Sequence, residues 1–339
     1  MKRSISSFVF VLLLSVTCVL LAAGCQKKSA AGGNLVIYSP NTEALVESII
    51  PAFEKAAGVT VEIISAGTGE CWKRIESEKN NPVADIMWGG QTYKDELVGP
   101  YVSANNNDVL PQFRNVNGVA TPYCLDGSVL LVNNALLGGI KVEGYADLLN
   151  PALKGKLIMG DPANSSSAFA QLTNMLYDMG GGDYFAESGW NYVRELLVQL
   201  DGKIAQSSSA VHRGVAEGEY TVGITYEDPS ASYVRDGADV RVVYMKEGVS
   251  FMSAFALIIK NSKNPENAKK FIDFLTGKEA QDIIGTQLTV RPVRGDAQLG
   301  TYMRPITEIN LIAEDSALLA ERKPEIVERY KALVTSLQK

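Results

Sequence analysis

From Asn34 onward, short apolar runs rich in β-branched residues alternate with helical patterns, and this alternation most limits the folds open to the chain. Residues 34–38 are a β-type run and Ser39, Pro40, Asn41 and Thr42 a turn; Leu45, Ile49 and Phe53 then mark one face of a helix that Gly58 ends. Residues 59–65 form a second strand, Gly67, Thr68 and Gly69 a turn, and residues 71–79 a second helix. Residues 84–88 are a third strand, stopped by Gly89 and Gly90. Strand, helix, strand, helix, strand predicts an open, mostly parallel sheet with both faces covered. A second α/β set follows: strands at 127–133, 155–159 and 220–225, with a helix at 165–179. A later strand at 253–259, a helix at 265–276 and a charged helical tail at 314–337 complete the pattern. With 339 residues, the chain should fold as about two domains.

Before this pattern stands an export leader. Lys2 and Arg3 form a basic start, residues 5–21 an apolar core, and Ala22, Ala23 and Gly24 lead into Cys25. A small-residue triplet ending on cysteine resembles a bacterial lipobox, which implies removal of residues 1–24 and lipidation of Cys25. A retained signal anchor is disfavoured because the apolar run is at the short end for spanning a bilayer. Residues 25–33 then read as a polar, glycine-containing tether. After the leader is cut and Cys25 acylated, Cys71 and Cys124 remain. In an oxidising compartment they could pair, or each could be a small buried thiol.

The chain carries a formal net charge of -6, and no long Lys/Arg run is present, so nucleic acid is not an expected partner. Its single histidine, His212, leaves little from which to build a histidine metal centre or a Ser/His/Asp site. Gly67 and Gly69 lack the third glycine of a dinucleotide fingerprint, because Trp72 stands there, and no phosphate-binding Gly-Lys-Ser/Thr loop exists. No cofactor or metal is expected. His212 itself reads first as a surface or cap residue and second as a ligand contact, and Trp72, Trp88 and Trp190 fit core packing at least as well as a sugar platform.

The polar residues sit where open α/β sheets bind ligands, beyond the carboxyl ends of the strands. Five such ends carry small hydroxyl, amide or glycine residues: Ser39 with Thr42, Thr68 with Gly69, Gly89 with Gly90, Ser165 with Ser166 and Ser167, and Thr225 to Asp228. Several precede helices, whose free N–H groups and positive dipole ends favour an anion. Each alone reads as a cap or turn residue, but together they point to a shared binding cleft. Glu227 and Asp228, acceptors only when ionised, would face hydroxyl or amine groups, the plainer reading being a solvated turn before Pro229.

Several segments carry a more specific resemblance: LVIYS from Leu35, PAFEKAAGV from Pro51, ADIMWGG from Ala84, LLNPALKGK from Leu148, GDPANS from Gly160, Gly218 through Ile224, and PENAKKFI from Pro265. Together they are similar to the extracellular solute-binding proteins of ABC importers, in the group of ferric-ion-binding periplasmic proteins and their phosphorylated-sugar and aminoethylphosphonate relatives. In ferric members an adjacent tyrosine pair follows the segment matching residues 218–224 and supplies phenolate ligands. Here that stretch reads Thr225, Tyr226, Glu227, Asp228, Pro229, and no Tyr-Tyr pair occurs anywhere. The departure argues against ferric ion. This segment and the serines at 207–209 look like the hexose-phosphate branch, which implies helix N-termini holding phosphate, Ser208 among them, and Asp201, Glu227 or Asp228 holding hydroxyls.

The resemblance implies an α/β, bilobal, type II periplasmic-binding-protein fold with two mixed-sheet lobes, 34–122 with 250–300 and 123–249 with 301–339. The expected protein is a monomeric, exported, membrane-anchored lipoprotein that presents a small anionic solute to an ABC-importer permease. A secreted hydrolase and a structural lipoprotein are the rival classes, the first lacking an evident nucleophile and base pair.

Overall fold

The computed structural model describes residues 34–337. The leader, the tether and Cys25 lie outside the described residues. Strands β1 (Asn34–Ser39), β2 (Thr60–Ser65) and β3 (Ile86–Trp88) are parallel, with β1 between the other two. Helix α1 (Glu43–Ala57) buries Leu45, Ile49, Ile50 and Phe53, a single stripe at helical spacing, and Gly58 closes it in the left-handed conformation. Helix α2 (Thr68–Ser77) buries Cys71, Trp72 and Ile75.

The central element is β4 (Thr121–Asn133), in which every residue except Asp126 is buried. Its first half pairs antiparallel with β9 (Phe251–Ile258) and β10 (Arg291–Pro292). Its second half pairs with β7 (Val222–Tyr226) and β8 (Val240–Val243). The partners change between Gly127 and Ser128, so one continuous strand belongs to both halves of the molecule. At that crossing a side chain on Gly127 would meet the Phe251 ring at 2.3 Å, which leaves room for glycine alone.

On one side of the crossing β9 connects to β3, giving the mixed order β2-β1-β3-β9-β4. Helices α7 (Pro265–Thr276) and α8 (Lys278–Gln287) cover this sheet, with Phe271, Ile272, Leu275 and Ile284 in the same cluster as Phe53 and Trp88. On the other side β7 is followed by β5 (Leu157–Gly160) and β6 (Ile204–Ala205), all three parallel. Helices α3 (Ser166–Met179) and α4 (Glu187–Leu200) and the C-terminal α9 (Ser316–Leu337) bury Leu172, Trp190, Leu196 and Tyr330 against it. Helices α5 (Ser208–Ala216) and α6 (Glu227–Arg235) pack on the opposite face through Val211, Val215 and Tyr233. The result is bilobal, and its sheet is more antiparallel than strand alternation suggests because β4, which runs through both lobes, and β9 lie antiparallel to the strands they pair with.

Two sequence expectations resolve differently here. Cys71 and Cys124 are both free and buried, in separate apolar clusters, so the pairing left open by the cysteine count is not made. Burial raises both thiols above their usual range. The segment at Glu227 is the first turn of α6, not a solvated turn. Pro229 is tolerated there because first-turn N–H groups have no intrahelical partner, and the two acids favour the positive dipole end.

Candidate functional site

The serines read from the sequence converge. Ser165 caps α3, accepting from the Ala168 N–H at 3.3 Å, and its hydroxyl lies 3.1 Å from that of Ser167 and 2.9 Å from that of Ser208. Ser167 and Ser208 are themselves hydrogen-bonded. The N-termini of α3 and α5 therefore meet at one point, each bringing free backbone N–H groups. They do so because β5 and β6 are parallel neighbours, so the helices that follow both strands start at the same sheet edge.

Ser166 and Ser167 open onto a cavity of about 220 Å³ with Asp126, Ser128, Gln91 and Tyr226 on its walls. Gln91 comes from the β3 side, Asp126 from the crossing strand, and the serines and Tyr226 from the other lobe. A second cavity, about 610 Å³, shares Gln91, Ser166, Ala170 and Met252 and widens toward Tyr93, Phe169, Phe255 and Lys323. This is the interlobe cleft.

The β1-to-β3 candidates Ser39, Thr42, Thr68, Gly69 and Gly90 line neither of these cavities. Gly90, at φ 85°, sits so close to Thr68 that an added Cβ would lie 2.9 Å from the Thr68 methyl. Gly69 and Thr42 are exposed at the starts of their helices, with no side-chain cap bond at Thr42. Ser39 differs from expectation: it is buried, and its hydroxyl donates to the Trp88 carbonyl at 2.8 Å while accepting from the Asn41 N–H. Its hydroxyl holds the β1 and β3 ends together and is not free for a ligand.

Among the acids the outcome is a correction. Glu227 is 1% exposed and is clasped by the buried Arg291, whose Nε donates to Oε2 at 2.8 Å, and by the Tyr244 hydroxyl. It cannot offer its carboxylate to a solute. Asp228 accepts from the Thr289 hydroxyl at 2.6 Å, and burial raises it above the usual carboxylate range, Glu227 adding to the effect. Asp201 is exposed at the end of α4, beside Gly155. It precedes β6 whereas Ser165 follows β5, so it lies at the opposite sheet edge from the cleft.

The acid that does line the cavity is Asp126, which sequence reading missed. Its Oδ1 is buried with no hydrogen-bond partner, and burial, with Asp228 and then Glu227 nearby, holds its carboxyl well above the ordinary range. The available signal was an aspartate before glycine inside an otherwise apolar strand. Tyr226, raised to about 12 chiefly by burial, packs edge-on against His212 with 6.1 Å between ring centroids. His212 is neither a surface nor a cap residue: it is buried, Nδ1 has no partner, and burial with Arg213 lowers it to about 4. All three tryptophans are core residues.

Residues 35–287 match the family model described as bacterial extracellular solute-binding protein. A putative 2-aminoethylphosphonate-binding periplasmic protein of Salmonella typhimurium is 25% identical over 72% of this chain and 73% of its own length. An Fe(3+)-binding periplasmic protein of Serratia marcescens is 25% identical over 95% of this chain and 97% of its own. Among solved structures, the periplasmic binding protein AfuA of Actinobacillus pleuropneumoniae, with fructose-6-phosphate bound, superposes with a TM-score of 0.71 at 26% identity. That match covers 90% of this chain and 99% of AfuA.

Proposed function

The chain belongs to the bacterial extracellular solute-binding proteins, the binding components of ABC importers, and from that membership we propose that its solute is a small phosphorylated molecule, an organophosphonate or a sugar phosphate. The observation that carries this reading is the N-terminus of α3, whose Ser166 and Ser167 line the interlobe cavity, with the N-terminus of α5 meeting it just behind through the Ser167 and Ser208 hydroxyls. Backbone N–H groups and hydroxyls suit a tetrahedral oxyanion, and the dipoles of two helices add at the same place. Relatives named for an aminoethylphosphonate and a fructose phosphate support the same chemistry.

The solute is bound without covalent change and handed to the permease when the lobes open. We place the lobes at 34–122 with 250–300 and 123–249 with 301–339, turning about β4 and β9. Export as a lipoprotein anchored through Cys25, and a monomeric state, are part of the same proposal. Ferric ion stays outside it: Tyr226 is followed not by a second tyrosine but by Glu227, whose carboxylate is committed to Arg291.

A thermal-shift series over alkylphosphonates, hexose phosphates and ferric salts tests the reading. A ligand present at ~100 times its dissociation constant should add about 2.7 kcal/mol to the folded state. Stabilisation by a phosphorylated compound, with a smaller radius of gyration in small-angle scattering, is the expected result. A visible tyrosinate band on stoichiometric ferric titration, with no response to phosphorylated compounds, would overturn it.

A further inference from the structure

The cavity holds one acceptor with nothing to accept. Asp126 alone interrupts the buried run of β4, it lines the cavity shared with Ser166, Ser167 and Tyr226, and its Oδ1 is buried and unpartnered. Leaving a buried acceptor unsatisfied costs free energy, and buried polar atoms without partners are rare enough to need a cause. The other acids nearby are already engaged, Glu227 by Arg291 and Tyr244, Asp228 by Thr289. When ionised, Asp126 accepts only, so a solute group that completes it in that form must carry an N–H or O–H donor.

Charge decides between the two. Three carboxyl groups, Asp126, Glu227 and Asp228, lie within mutual influence at this end of the cavity; Arg291 is spent on Glu227, and Arg235, itself paired with Asp236, acts on Asp228. A hydroxyl would satisfy the hydrogen bond but would not favour ionisation of Asp126 beside the other two acids. An ammonium does both, and an opposite charge a few ångströms from a carboxylate favours its ionised form. The part of the wall formed by the N-terminus of α3, at Ser166 and Ser167, has the reverse polarity.

Resting on the reading above, we propose that Asp126 is the specificity-determining residue of the cleft: it holds a primary ammonium on the same solute whose phosphoryl group sits at Ser166 and Ser167. Glu227 shapes this end without touching the solute, and the cavity selects for a short zwitterion over an anion of equal size.

Calorimetry on the full chain with inorganic phosphate, ethylphosphonate, 2-hydroxyethylphosphonate and 2-aminoethylphosphonate tests this. The wild type should bind the amino compound about tenfold or more tighter than the ethyl and hydroxyethyl compounds, the gain expected of a hydrogen bond between charged groups. Asp126→Asn, which keeps the shape of the side chain, should remove that preference and leave ethylphosphonate affinity unchanged or improved. Equal wild-type affinities for the three phosphonates, a hydroxyethyl preference, or a preference that survives in Asp126→Asn would overturn the assignment while leaving the phosphoryl site standing. If no compound of the series binds, the phosphoryl reading falls and this assignment with it. The wild-type series stands by itself should the variant fold poorly.

Discussion

The guanidinium of Arg291 and the carboxylate of Glu227 form a two-point ion pair that is almost wholly shielded from water, 2% and 1% exposed, across the junction of the lobes. Arg291 belongs to β10, paired with the first half of β4, and Glu227 opens α6, directly after the strand that pairs with the second half. Arg291 also donates to the Arg304 carbonyl at 2.8 Å, and the Thr289 hydroxyl, two residues before β10, donates to Asp228 in the first turn of α6. The first turn of α6 is thus fixed to the opposite lobe beside Tyr226 and Asp126. A hinge needs one such fixed point if closure is to bring the cleft walls into register.

Removing one partner of this pair should cost far more than removing both. Arg291→Met leaves a buried carboxylate uncompensated and should lower stability by ~3–5 kcal/mol, whereas Arg291→Met with Glu227→Leu should recover much of that loss. Urea unfolding of the two single variants and the double variant measures the coupling. Additive losses would show that the pair has no special role.

Stability should also fall as pH rises through the weakly acidic range, and Asp178 is one cause beside Asp126, Asp228 and Glu314, whose carboxyls burial also raises. Burial, with Glu247 close by, raises its carboxyl to about 7, while the Asn174 amide donates to it at 2.7 Å. The unfolded group titrates near 3.8, so between about 4 and 7 the folded state holds a proton that the unfolded state has lost. The contribution is most favourable below that window, declines across it by at most about 1.4 kcal/mol per pH unit, and is flat above it; partial exposure reduces the slope. Asp178→Asn should make the melting-temperature profile from pH 4 to 7 less steep and stabilise the protein at pH 8. A variant profile parallel to the wild type would rule Asp178 out as a source.

How far such features could be read beforehand depends on whether their partners are local. The stripe of Leu45, Ile49 and Phe53, the helix at Pro265–Thr276 and the serines before α3 and α5 announce themselves by periodicity or by capping residues within a few positions. The first half of β4 did not, because Pro122 and Asp126 break its apolar run, and only burial against β9 and β10 makes it a strand. Glu227 and Asp126 exchanged roles for the same reason. The partner of Glu227 is 64 residues away in another lobe, so nothing near it in sequence marks it as occupied.

Cys71 and Cys124 should behave as two independent buried thiols. Iodoacetamide should leave both unmodified in the native protein and alkylate both in denaturant without added reductant, as peptide mass spectrometry would show. Reductant should not change the melting temperature. A linked peptide pair carrying both residues would contradict the separate clusters in which they lie.

The two ends of the cleft should respond separately to mutation. Ser166→Asp places a carboxylate in the first turn of α3, where the helix dipole favours it by about 0.3–1 kcal/mol, so the ligand-free protein should melt no lower than the wild type. The same carboxylate repels a phosphoryl group across a few ångströms, and at an effective dielectric of about 20 this should reduce affinity by roughly a hundredfold or more. The loss should be equal for ethylphosphonate and 2-aminoethylphosphonate, because both present the same anion to α3, whereas Asp126→Asn should affect the amino compound alone. Calorimetry of both variants with both compounds decides the polarity of the site. If Ser166→Asp spares either compound, the phosphoryl group does not sit at the meeting of the two helices.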